Sequence, residues 1–460
     1  MPALKRLVAV CLIGGASWTS MAHAQDPVRA TCADFFLDIN NPATAACRGN
    51  ISAVPFDLLA PGARALGLGG AFAAVADDAT AAEANPAGQT ILTRPEVSVH
   101  VRNASYDVRI LDPNQLDGAL YGASGPGPIT GYKESNTKVS FASFVYPMDR
   151  FVISGYYQNS GALRGNSNIT AYNDEYNDTY VASTAVDVEQ DSLGLAGAFR
   201  LSDMFSIGAS LKYSNLDYRS QSTSSVFDFR DLEIHNPGAG PYTDEISLSS
   251  LSKASDHDLT WNLGLLVNPN GKFSGGLVYK KGGSYKAVNT LSVLNIASCA
   301  GDATCLQDFA GAVDRPQTIN LPDILSAGIA LRPSDSWLFS FQVDQIDYGS
   351  LPEGSPTGFL FGTFQGNSTP IDSLGKKYSV HFGAEKTFLF DKPMMGMSLL
   401  SIRAGAFTDP DHDSYADLKT GDTHYTFGLG TVIAEHLQLD LGADWSDRVN
   451  AVVMSAVYHF

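Results

Sequence analysis

The sequence is short of basic residues: 30 Lys and Arg stand against 48 Asp and Glu, a formal net charge of −18. That balance repels phosphate backbones and excludes nucleic acid as a partner. Long apolar runs are missing as well. Beyond the first 24 residues nothing approaches the ~18 consecutive apolar residues of a membrane-spanning helix. Cysteine is scarce, five in 460 residues, and its spacing fits no zinc motif. The acid-rich "NDEYND" at 173–178 lacks the ligand spacing of a calcium loop and reads as a solvated loop. No metal and no cofactor are expected. G-x-S-x-G and H-E-x-x-H are both absent, and the nine histidines are scattered. No catalytic residue is nominated, and the chain is not expected to be an enzyme.

What is present begins with an export signal over residues 1–24. Lys5 and Arg6 precede the apolar "LVAVCLIGGA", and "AHA" places cleavage after Ala24. Cys11 leaves with the signal, so Cys32, Cys47, Cys299 and Cys305 remain. An even count outside the cytoplasm favours disulfides, with Cys32–Cys47 and Cys299–Cys305 as the local pairs; buried free thiols are the alternative. An exported chain without helical spans is either soluble outside the cytoplasm or a membrane barrel. With 19 Tyr, 24 Phe and 43 Gly but a mean hydropathy near zero, the composition suits strands whose two faces meet different solvents.

From residue 96 the sequence alternates with period two. In "FSIGASLKY", Phe205, Ile207, Ala209, Leu211 and Tyr213 share one face; Ser206, Gly208, Ser210 and Lys212 share the other. "LTWNLGLLV", "WLFSFQVD" and "LQLDLGADW" repeat the pattern. About fourteen such strands are counted, with cores at 96–104, 136–147, 150–160, 189–200, 204–218, 257–268, 272–282, 322–332, 336–348, 376–389, 398–409, 422–432, 436–446 and 450–460. Soluble sandwiches alternate too, so the connections decide. Tight turns such as "MDR" and "AEH" alternate with long polar stretches such as "NSNITAYNDEYNDTYVAS". The expected fold is all-β, a transmembrane antiparallel β-barrel of about 14 strands over residues 96–460. The last strand runs out to Phe460, which resembles the signal read by the barrel assembly machinery.

Residues 25–95 do not alternate. "GARALGLGGAFAAVADDATAAEANPAG" is almost all Ala and Gly, carries Asp77 and Asp78, and stops at Asn85-Pro86, where proline ends any helix. A fourteen-strand barrel is too wide for wall side chains to fill. A slim segment tethered to the first strand is expected to plug it.

This run, with its "GLGGAF", "ADDAT" and "NPAG" (Asn85, Pro86, Ala87, Gly88), resembles the N-terminal hatch motif of FadL-type outer-membrane transport proteins, the long-chain fatty-acid and aromatic-hydrocarbon transporters. The resemblance implies a bacterial outer-membrane channel for passive uptake of a hydrophobic small molecule or lipid. It further implies a hatch over 25–95 and a lateral exit through a kinked wall strand. In that frame Asp77, Asp78 and Asn85–Gly88 are the gating residues, although the two acids also read as solvated. Gly155 in "FVISGYYQNS" is the candidate kink, or merely relieves crowding. His100, Arg102 and Tyr156 are candidate ligand contacts, or ordinary polar lining. The expected partners are the hydrophobic ligand, outer-membrane lipid and the assembly machinery. PorV-like shuttles for secreted proteins share the motif and supply the alternative function.

Overall fold

The computed structural model describes residues 58–111, 129–173, 178–227, 245–269, 271–296, 313–350, 375–394, 396–410 and 421–460. The four candidate disulfide cysteines, Cys32, Cys47, Cys299 and Cys305, lie outside the described residues.

Sixteen strands are found among the described residues: β1 (Glu96–Leu111), β2 (Ile129–Met148), β3 (Phe151–Asn173), β4 (Asp178–Arg200), β5 (Phe205–Phe227), β6 (Glu245–Val267), β7 (Phe273–Lys280), β8 (Ser284–Ile296), β9 (Val313–Asn320), β10 (Asp323–Ser334), β11 (Trp337–Asp347), β12 (Lys376–Met394), β13 (Met397–Asp409), β14 (Asp422–Ile433), β15 (Leu437–Trp445) and β16 (Val449–His459). Each pairs antiparallel with its neighbours, and β1 meets β16 from Glu96↔His459 to Tyr106↔Val449, closing the barrel.

The sixteen strands make fourteen staves, the number expected from the alternation. β6 pairs first with β8 and then with β7, so these two are halves of one stave. β9 and β10 are likewise halves of the next. The breaks face each other at Gly282-Gly283 and Leu321-Pro322. Proline cannot donate to the ladder, and a Cβ on Gly282 would lie 2.0 Å from the Leu321 carbonyl oxygen.

The outward positions form a lipid-facing band. Phe151, Phe205, Phe273, Trp337 and Tyr458 are exposed at the tight-turn end, and Tyr213, Trp261, Tyr378, Tyr425 and Trp445 are exposed further up. Two aromatic girdles around an apolar band mark the two membrane interfaces. The tight turns use left-handed backbone, with Asp149 at φ 42°, Asn268 at 52° and Ala434-Glu435 at 51° and 64°, as two-residue hairpins require.

The long polar stretches depart from expectation. "NSNITAYN" continues β3 to Asn173 and "DTYVAS" opens β4, while β5 and β6 run on to Phe227 and from Glu245. These extensions are polar on both faces, so they show no alternation, and their partners rather than a core hold them extended.

Residues 58–95 lie inside the barrel, where they form α1 (Ala63–Gly67), α2 (Ala81–Ala84) and a 3-10 turn (Pro86–Ile91). Almost every residue from Pro61 to Thr90 is half-buried or buried. The wall meets them with paired glycines: Gly208↔Gly264, Gly276↔Gly328, Gly383↔Gly405 and Gly428↔Gly442. A Cβ would lie 2.4 Å from the Ala87 nitrogen at Gly208, 2.1 Å from the Ala73 carbonyl oxygen at Gly276, and 2.4 Å from the Gly69 nitrogen at Gly405. The segment answers with its own Gly69, at φ 62°, whose Cβ would stand 2.6 Å from the Phe382 carbonyl oxygen. Backbone therefore rests on backbone. Only a slim chain fits.

The purified protein is expected to need detergent, to migrate as a compact species on unheated gels and to shift on boiling, since every stave is ladder-bonded. Gly405→Val should keep that heat shift yet make residues 63–90 cleavable by protease. Gly275→Ala, whose Cβ meets nothing closer than the Gly328 carbonyl oxygen at 3.9 Å, should leave them protected. Equal protection in both variants would show that the glycine belt does not seat the segment.

Candidate functional site

The lumen holds three features: the seated segment, a cavity above it, and an incomplete seam in the wall. The segment is fixed by charge as well as by shape. Arg64 on α1 pairs with Asp77, and its Nε and Nη2 donate to Glu385 at 3.1 and 3.2 Å. Glu385 also receives Arg403 at 2.5 Å, and Arg403 reaches Asp440 at 2.6 Å. At the other end, Glu83 accepts from Lys280 at 2.9 Å and faces Lys212 at 3.7 Å. Neutral groups complete the seating: the Gln342 Oε1 accepts from the Phe72 and Ala73 nitrogens at 3.0 and 2.8 Å.

The candidate gating residues divide by role. Asp77 meets Arg64 and, at 3.8 Å, the wall residue Arg332. Asp78 instead accepts from the Thr80 nitrogen at 2.9 Å and from the Thr80 hydroxyl at 2.5 Å. Asn85 is fully buried; its amide donates to the Ala73 carbonyl at 2.7 Å and the Leu265 carbonyl at 3.3 Å, and its Oδ1 accepts from the Ala87 nitrogen at 3.2 Å. Pro86 opens the 3-10 turn, and Ala87 packs on Gly208. At Gly88 a Cβ would lie 2.1 Å from the Ala76 carbonyl oxygen.

The wall candidates also separate. His100 is buried, its Nδ1 2.5 Å from the Ser455 hydroxyl and its ring edge-on to Phe141. Tyr156 points inward, stacks on Phe141 and donates to the Ser210 hydroxyl at 3.2 Å. Arg102 lines a cavity of about 120 Å³ that also touches Leu59, Leu66, Tyr106, Phe407 and His424. On its wall Phe407 stacks between His381 and His424.

Gly155 points outward and pairs regularly with Phe144 and Leu195. The irregularity of β3 lies instead between Asn159 and Gly161, in its ladder with β4. Pairing of β2 with β3 ends at Phe141↔Gln158, and among the described residues their upper parts, 129–140 and 159–173, share no ladder. Side chains cross this seam: Asn136 donates to the Ala162 carbonyl at 3.2 Å, and Lys138 reaches Glu189 at 2.6 Å. Beside its lower end an apolar groove of about 680 Å³ runs over the outer wall, lined by Val97, Val99, Phe144, Gly155, Tyr157 and Leu193 among others.

Arg64, Glu83, Lys212, Lys280, Glu385, Arg403 and Asp440 were not singled out from the sequence. The available signal was a charge on the polar face of an alternating strand, as Lys212 is in "FSIGASLKY" and Asp440 in "LQLDLGADW".

A closed antiparallel barrel with two aromatic girdles and a filled lumen is an outer-membrane transport barrel. The profile of the outer membrane protein transport protein family (OMPP1/FadL/TodX) matches residues 53–367, and the chain belongs to that family. It is an outer-membrane channel for hydrophobic substrates. Solved structures agree in fold: a FadL homologue of Pseudomonas aeruginosa at 15% identity and TM-score 0.58, the toluene transporter TodX of P. putida at 13% and 0.53, and the monoaromatic hydrocarbon channel CymD at 13% and 0.51. Each alignment covers 88% of this chain and 99% of the other. No curated protein matches the sequence. Family and fold are those of transport channels rather than enzymes, and they do not favour the secretion-shuttle alternative.

The two buried acids of the segment titrate in opposite senses. Burial pushes the Asp78 carboxyl up to about 6, against the pull of Arg64. Burial also acts to raise Glu83, but Lys280 and Lys212 outweigh it and hold that group below its usual value. A raised carboxyl in the folded state costs stability while it is ionised, and the cost fades as pH falls through about 6 toward the ordinary Asp value. Asp78→Asn should therefore melt at higher temperature than the parent near pH ~8, and the difference should vanish by pH ~4. Heat-shift midpoints at stepped pH check this. A parent more stable than the variant at the alkaline end would reverse the sign.

Proposed function

We propose that the chain takes up hydrophobic small molecules passively, that residues 25–95 act as a hatch closing the lumen, and that cargo leaves sideways through the β2–β3 seam. One observation carries the reading: a separately seated, charge-anchored segment fills the barrel at the glycine belt, directly below the cavity. A bare fourteen-stave lumen would pass water and ions. With the segment in place, passage requires the segment to shift or the wall to part.

The seam favours the wall. Along most of the described wall a ligand would have to break ladder hydrogen bonds, whereas here side-chain contacts intervene. The apolar groove outside offers the escaping molecule a surface continuous with lipid. The cargo class is that of the similar toluene transporter and monoaromatic hydrocarbon channel, with long-chain fatty acids the broader family alternative. On this reading Asp77, Asn85, Pro86, Ala87 and Gly88 hold the hatch in its closed form. Asp78 tunes it with pH.

Deleting residues 25–88 should leave a barrel that still shows the heat shift but conducts ions across a planar bilayer far more than the full chain. Replacing Asn85-Pro86 by Ala-Ala removes the amide that ties Ala73 to Leu265 and should raise conductance by a smaller factor. A folded deletion barrel no leakier than the full-length protein would remove the hatch from this account.

A further inference from the structure

The cavity above the segment contains two hydrogen-bond acceptors with nothing to accept. Gln158 and Asn159 are consecutive residues of β3, and strand neighbours ordinarily face opposite sides. These two nevertheless both reach the cavity, just before Ser160 drops out of the ladder with β4. Both line the cavity, at 6% and 2% exposure. The Asn159 Nδ2 donates to Asp191 at 3.0 Å and faces Glu189 at 3.5 Å. Two carboxylates on that side fix which way the amide lies, because its oxygen would be repelled there. The Asn159 Oδ1 is thereby left buried without a partner, and the Gln158 Oε1 is buried without one too.

An unmatched buried acceptor is costly, because it gives up its bond to water and gains none in return. Water entering the cavity can serve these oxygens, but a hydrocarbon that displaces it strands them again. A ligand with its own hydroxyl or amine does not. The volume, about 120 Å³, sets the size of the body, since an apolar cavity of ~150 Å³ takes a benzene ring. Apolar Leu59, Leu66 and Val453 supply its greasy walls.

We infer that this cavity selects a neutral, ring-sized molecule bearing a hydrogen-bond donor, a phenol or aromatic amine in chemical class, and that Gln158 and Asn159 are the specificity-determining residues. The inference rests on the channel reading above and names its substrate class. A carboxylate brings only more acceptors to the two amide oxygens and to Asp344 and Asp444 on the cavity wall. A bare hydrocarbon brings no donor.

The test compares toluene, p-cresol and p-toluate, three probes with one body and a methyl, hydroxyl or carboxylate head. Binding to the full-length protein in detergent, net of protein-free micelles, and uptake into proteoliposomes are both measured at neutral pH. p-Cresol should exceed toluene about tenfold, the worth of one buried hydrogen bond, with p-toluate weakest. Gln158→Leu and Asn159→Leu, each checked for the heat shift, should weaken p-cresol, strengthen toluene and collapse the ratio. Parity between p-cresol and toluene in the parent, or a preference for p-toluate through Arg102, overturns the inference while leaving the channel intact. Failure of all three probes to bind or enter overturns the channel reading itself, and this inference with it.

Discussion

Everything inside this barrel depends on two backbones lying in direct contact. Four cross-strand glycine pairs face the lumen on eight staves, and the segment above them is built of Ala and Gly. Each partner explains the other. A side chain on Gly405 would displace Gly69, and a side chain on Gly69 would strike the Phe382 carbonyl. Close backbone packing is strong in dispersion but short in reach, falling away within about an ångström of separation. A segment held this way is either seated or released. It has little middle ground.

Charge sets how firmly it sits. The Arg64–Glu385–Arg403–Asp440 chain and the Glu83–Lys280 pair are removed from water, and desolvation offsets much of their attraction. Buried ion pairs therefore add specificity of register more than net stability. Glu385 shows why: if Arg64 withdraws, Arg403 remains at 2.5 Å, so the wall carboxylate is not abandoned when the segment leaves. The Lys280–Glu83 pair lacks that provision on its acidic side, because a departing Glu83 leaves Lys212 and Lys280 facing each other across the pairing of β6 with its neighbours. Release from that end is the costlier step.

The fourteen staves were legible in the sequence because lipid on one face and a small-residue lumen on the other impose strict alternation, as Leu193, Leu195, Phe199 and their inward neighbours show. The strand extensions were not, since the Ser- and Thr-rich 219–225 carries no alternation of polar and apolar residue types. The lumen filling was legible from the poverty of side chains in 63–88. Its ion pairs were not: Glu83 and Lys280 are 197 residues apart in sequence, and only closure of the barrel brings them to 2.9 Å. The seam was misplaced for a local reason. Gly155 looked like a weak point because it lacks a side chain, yet its ladder bonds are intact on both sides. The pairing with β2 ends at Gln158, just before Ser160 drops out of the ladder with β4, a feature that leaves no mark in residue type.

The barrel is thus two walls of different construction. The staves from β5 round to β15 carry the glycine belt and bind the segment. The staves β1 to β3 present full side chains to the lumen, among them His100, Arg102, Tyr156 and Gln158; the β1–β2 register shifts at His100/Val101, and the β2–β3 ladder ends at Phe141↔Gln158. A shifted register on one side and a ladder cut short on the other weaken the coupling of β2 to both neighbours without opening the barrel as a whole. The cavity borders that weakened stave, and the orphan acceptors sit at its edge. On the proposed reading, retention of a ligand and yielding of the wall meet at the same few residues: Asn159 lines the cavity, and its nitrogen donates to Asp191 on β4.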